Sequence, residues 1–162
     1  FDIPVQLKIN VTSLSKKFFE LSRKYHPDYF ANENDEAQAA VLEKSALLNK
    51  AWKVFQNPDE SIKYVLQLKG LLVEEEKYEL PPDFLMEVLE INEALMDTQE
   101  SGIPKLESRI SELQSEIYEP VKNIVEDYKD GITTEKELLQ VKEYYYKKKY
   151  LDRIRRQLAG MA

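Results

Sequence analysis

Apolar residues recur along this chain with the three-to-four-residue period of amphipathic helices, and breaks in that period divide it into six helical segments. Leu14, Phe18, Leu21 and Tyr25 line one face of a segment from about Val11 to Tyr25, for which Asn10 is the expected N-cap. Pro27 stops it. A residue preceding proline is pushed out of helical dihedrals, so His26 is expected to leave the helix and HPDYFANEN to form a loop. A second helix, capped by Asn34 or Asp35, reaches about Phe55 with a stripe of Ala37, Val41, Leu48, Trp52 and Phe55, widened by Ala40, Leu47 and Val54. Asn57 and Pro58 open a third, shorter helix that Gly70 closes.

The stretch LLVEEEKYELPPD, Leu71 to Asp83, interrupts the pattern with an acidic run and a double proline, as a connection between two units does. The expected organisation is a unit over 1–70, a linker over 71–81 and a second unit over 82–162. Three further helices are expected there, over about 82–100, 104–128 and 134–158, with stops at Ser101-Gly102 and Asp130-Gly131. Thr134 and Glu137 have capping-box spacing. In the middle helix Leu106, Ile110, Leu113, Ile117, Ile124 and Tyr128 form one stripe, and about twenty-five residues at 1.5 Å each make a rod of about 38 Å. Pro120 is expected to bend it locally. The fold class is therefore all-α: a helical hairpin followed by a three-helix bundle, elongated into an L shape.

Composition narrows the function. The 162 residues carry a net charge of -7, which disfavours wrapping a nucleic-acid backbone. There is no cysteine, so disulfides, thiolate metal sites and cysteine nucleophiles are excluded, and a reducing compartment fits. No run approaches the length of a membrane span. The chain opens on Phe1, so an amino-terminal segment is expected to be missing.

His26 is the only histidine, and with Asp28 it offers two ligands where a metal site needs three or four. No metal or cofactor is expected. A general base needs an orienting partner and a substrate pocket, and no phosphate loop or serine elbow accompanies His26, so an enzyme is the weaker class. Taken alone, His-Pro-Asp is an ordinary turn. Its setting raises it: Lys16, Lys17, Arg23 and Lys24 form a basic ledge away from the apolar stripe of the first helix, diluted by Glu20. On the fourth helix Phe84, Val88, Ile91 and Leu95 fit the bundle core. Leu85, Met86 and Leu89 project elsewhere among Glu90, Glu93 and Asp97, as a recognition surface would, although Leu85 and Leu89 could equally pack on another helix or on the first unit. On the last helix Tyr146 and Tyr150 lie one turn apart, away from the Leu138, Val141 and Tyr145 side. The basic, tyrosine-rich KEYYYKKKYLDRIRR leaves nucleic acid or anionic membrane as a minor alternative, but its cations spread around the helix and suit its carboxy-terminal end.

LSRKYHPDYF followed by LEKSALLNKAWKVFQNP resembles a J domain, the module with which co-chaperones stimulate DnaK-type ATPases. FDIP resembles the end of that domain's first helix, whose beginning is expected to be missing. SALLNKAWKVFQNP, YVLQLKG, FLMEVLEINEAL and KYLDRIRRQL together resemble the HscB/Jac subfamily, in which a J domain carries a three-helix bundle that holds an iron-sulfur cluster scaffold protein. Tyr29 departs from the lysine common after the motif, and the cysteine-rich zinc extension of some eukaryotic members is absent. The resemblance implies that His26, Pro27 and Asp28, with Lys16, Lys17, Arg23 and Lys24, contact a DnaK/HscA-type chaperone. It implies that Leu85, Met86, Leu89, Glu90, Glu93, Asp97 and Tyr150 contact the scaffold. It implies a non-enzymatic co-chaperone with neither nucleic acid nor membrane as partner, in a bacterial cytoplasm or else a mitochondrial matrix. The alternatives are a helical interaction module without ATPase-stimulating activity and a hydrolase using His26 and Asp28.

Overall fold

The computed structural model describes residues 1–160, which hold helices and no strand. Contacts divide them into two compact units, one of residues 1–65 and one from residue 66 onward. The stretch 66–81, which contains the expected linker, thus groups with the second unit.

In the first unit, residues 1–10 form no helix, and Asp2 has φ 52°. Helix α1 (Val11–Lys24) starts where Asn10 accepts the Ser13 N–H, the expected cap. Helix α2 (Asp35–Gln56) starts where Asn34 accepts the Ala37 N–H at 2.8 Å. The two pack together. Leu14, Val41 and Leu48 are buried, and the Phe18 ring stacks on Trp52 at 4.6 Å. Ala40 and Leu47, expected to widen the buried side of α2, are exposed instead, because α1 covers only a narrow arc of it. Asn57 then caps α3 (Pro58–Leu68) by accepting from the Asp59 and Glu60 N–H groups, and the chain leaves that helix through Gly70 at φ +70°, a left-handed conformation that disfavours any side chain.

In the second unit α4 (Pro82–Asp97), α5 (Ile103–Tyr118) and α7 (Glu135–Ala159) enclose a core of Phe84, Val88, Ile91, Leu106, Ile110, Leu113, Leu151, Ile154 and Leu158. Helix α7 opens on the expected capping box: Thr134 Oγ1 accepts from the Glu137 N–H, and Glu137 accepts from the Thr134 N–H at 3.0 Å. Pro120 does more than bend the middle helix. The missing amide donor ends α5, a 3-10 turn spans Glu119–Val121, and a short α6 (Lys122–Glu126) follows. That tighter turn rotates the stripe, so Val121 and Val125 are buried whereas Ile124 is only half-buried.

The non-helical residues before α4 are fastened to α7. Glu76 accepts from Lys142 Nζ at 3.0 Å and Tyr146 Oη at 2.9 Å, and Tyr78 stacks on the Tyr146 ring at 4.5 Å. Burial pushes the Glu76 carboxyl upward, but the Lys142, Tyr146 and Val73 donors outweigh it and hold the group below the ordinary glutamate value. A carboxyl depressed in the fold contributes stability above its unfolded pKa and loses it as pH falls through the folded one. Glu76→Gln is therefore expected to lower stability by about 1 kcal/mol at neutral pH. Urea midpoints measured across pH should converge for the two proteins as pH falls through and below the lowered Glu76 pKa.

Candidate functional site: a histidine turn and an apolar face on α4

The first candidate site begins where α1 ends. Pro27 holds His26 at φ -73°, ψ 127°, outside the helical region, and His26 becomes the cap of a single 3-10 turn, Pro27–Phe30, within the expected loop. The turn is tied to α2, whose Gln38 amide donates to the Ala31 and Glu33 carbonyls at 3.1 and 2.8 Å. Lys44 of α2 lies 5.2 Å from the centre of the Tyr25 ring at the end of α1. Both ends of the turn are thus fixed while His26, Asp28 and Tyr29 are exposed.

His26 Nδ1 accepts the Asp28 N–H at 3.3 Å. That bond requires the tautomer with hydrogen on Nε2, which leaves Nε2–H as the donor for a partner. The Asp28 carboxylate lies 3.6 Å from Nδ1, and the two side chains are 52% and 88% exposed, so both are within reach of another molecule. On α1, Lys16, Arg23 and Lys24 are exposed. Lys17 is less available, since it pairs with Asp2 at 3.4 Å. A shallow hollow of about 250 Å³ opens beside the turn, lined by Phe19, Ser22, Arg23, His26, Asp28 and Tyr29. Phe19 lies one position off the apolar stripe of α1, which is why periodicity passed over it.

The second candidate site is the outward face of α4. Phe84, Val88 and Ile91 are buried and Leu95 is half-buried, whereas Leu85, Met86 and Leu89 are exposed together with Glu90, Glu93 and Asp97. One helix thus serves core and solvent with separate apolar faces. Met96, 86% exposed, joins the outward set; it follows Leu85 by eleven residues, about three turns, a spacing visible in the sequence. Tyr150 of α7 is not presented as openly as these. Its ring packs against the core, edge-on to Phe84 at 6.4 Å, with Arg153 over it at 5.3 Å. Tyr146 is committed to Glu76 and Tyr78.

Among the described residues, no group of three or more His, Asp or Glu side chains gathers as a metal site would require, and no helix is long and apolar enough to cross a membrane.

Residues 80–159 match the family described as the HSCB C-terminal oligomerisation domain. The crystal structure of human co-chaperone protein HscB superposes with a TM-score of 0.81 at 26% identity, over 98% of this chain and 77% of that one. Chaperone HscB from Vibrio cholerae shares the fold with a TM-score of 0.64 at 20% identity, over 97% of this chain and 95% of that one. A helical hairpin presenting His-Pro-Asp, followed by a bundle of this family, defines a J-domain co-chaperone. The second unit carries the domain of that family, and over nearly its whole length the chain is similar to the HscB type, the co-chaperones of iron-sulfur cluster assembly.

The two faces of α4 make opposite predictions for residues two positions apart. Ile91→Ala is expected to cost about 2–5 kcal/mol in a urea denaturation, because it empties part of the core. Leu89→Ala should change stability by no more than about 0.5 kcal/mol.

Proposed function

We propose that this protein stimulates the ATPase of a DnaK/HscA-type chaperone through the His26-Pro27-Asp28 turn and delivers to it an iron-sulfur cluster scaffold protein bound on α4. The observation that carries the reading is the turn itself: an imidazole and a carboxylate, both exposed, fixed by Pro27 at the end of a basic helix. Lys16, Arg23 and Lys24, with Lys17 partly neutralised by Asp2, steer an acidic chaperone surface toward it, acting mainly on association rate. Asp28 then accepts, and His26 Nε2–H donates, hydrogen bonds that favour the chaperone's hydrolysis-competent state. The protein carries out no reaction of its own. ATP and its hydrolysis belong to the partner.

The scaffold is held by Leu85, Met86 and Leu89, whose apolar side chains lie among Glu90, Glu93 and Asp97; the acids select a basic rim on the scaffold. Tyr150 supports this surface as a half-buried ring behind Phe84. The compartment is the one in which chaperone and scaffold meet, a bacterial cytoplasm or alternatively a mitochondrial matrix.

In steady-state assays, Asp28→Ala is expected to leave helical content intact and to reduce stimulation of an HscA-type ATPase to baseline; full stimulation by this variant contradicts the trigger. For the cargo face, Leu85→Ala combined with Leu89→Ala is expected to weaken scaffold binding at least about a hundredfold by calorimetry, two interface anchors being lost at once. Undiminished affinity removes α4 from the interface.

A further inference from the structure

The hollow beside the histidine turn is walled by two aromatic rings that the basic ledge and the His-Pro-Asp triplet do not use. Phe19 is 62% exposed and Tyr29 73% exposed. Single exposed apolar side chains are commonplace. These two differ because they face one concavity and each is held by a further ring. Phe19 lies against Phe18 at 5.6 Å, and Phe18 stacks on Trp52. Tyr29 stands edge-on to His26 at 6.0 Å. Rings already ordered in the free protein lose little conformational freedom on binding, which is what makes aromatic anchors effective.

The surrounding charges indicate the occupant. Ser22 lies on the lining, and Arg23 and Asp28 stand with His26 around the same hollow. Arg23 has no ion pair among the described residues, and its neighbour Lys24 is spent only on the Tyr25 ring. A surface that places an apolar side chain next to a carboxylate satisfies both features at once: the chain enters between the rings and the carboxylate meets the Arg23 guanidinium.

We propose that the hollow between Phe19 and Tyr29 is a socket for an apolar side chain of the ATPase chaperone, and that the acid beside that side chain pairs with Arg23. The inference rests on the co-chaperone reading and deepens it. His26 and Asp28 set how far ATP turnover rises; Phe19 and Tyr29 set how tightly, and which, chaperone is held.

The test is a titration of an HscA-type ATPase with wild-type protein, Phe19→Ser, Tyr29→Ser and Asp28→Ala, each checked for an unchanged melting curve. Phe19→Ser and Tyr29→Ser are both expected to raise the half-maximal concentration about tenfold while reaching the wild-type maximal rate. Asp28→Ala should lose the maximal rate itself. Midpoints unchanged in both serine variants, with stimulation lost in Asp28→Ala, overturn the socket and leave the co-chaperone reading standing. A wild-type protein that does not raise ATP turnover overturns both. Should a serine variant melt early, the glutamine variant at the same position, Phe19→Gln at 62% exposed or Tyr29→Gln at 73% exposed, replaces it with the same expected shift.

Discussion

The geometry of the amino-terminal site follows from a steric restriction on one peptide. Pro27 denies His26 helical dihedrals, so α1 cannot continue and the imidazole leaves the helix just where the basic side chains end. The proline ring also presets the first residue of the 3-10 turn, which brings the Asp28 N–H onto His26 Nδ1 and thereby selects the ring tautomer. Backbone, side-chain orientation and hydrogen-bond polarity are thus set together. What the rest of the hairpin adds is anchorage: Gln38 holds the far end of the turn, and the Trp52–Phe18 stack holds α1 against α2.

The second unit solves a different problem. Helix α4 must be anchored firmly while leaving apolar side chains in solvent, and it does so by dividing its circumference. Phe84, Val88 and Ile91 supply the burial that holds it to α5 and α7, while Leu85, Met86, Leu89 and Met96 point away from that core. Acids interleaved with the exposed set keep it solvated. Upstream of α4, the Glu76 carboxylate and the Tyr78–Tyr146 stack fix the chain that enters the helix, so its amino-terminal end is positioned by α7 and not by the two prolines alone.

What could be read from the sequence was what residues a few positions apart decide. The caps at Asn10, Asn34, Asn57 and Thr134 are local side-chain-to-backbone bonds, and the two faces of α4 follow from helical period. Glu76 was not readable as a fastening point, because its donors lie 66 and 70 residues further along. The split of the middle helix at Pro120 was half legible: a proline announces a break, but whether the chain answers with a bend or a 3-10 turn depends on what packs against it. Leu47 and Ala40 show the limit of counting apolar periods, since a partner helix covers an arc and not every apolar position. Tyr150 kept its helical position but lies deeper than an aromatic reserved for a partner would, because the space beside Phe84 accommodates its ring.

The proposed function requires the two surfaces, one on each unit and with no residue in common, to hold chaperone and cargo at the same time. Sedimentation velocity on the co-chaperone mixed with an HscA-type ATPase and a scaffold protein tests this most directly. A single boundary containing all three proteins is the expected result. Displacement of the ATPase by added scaffold, leaving only two-component complexes, would contradict the account.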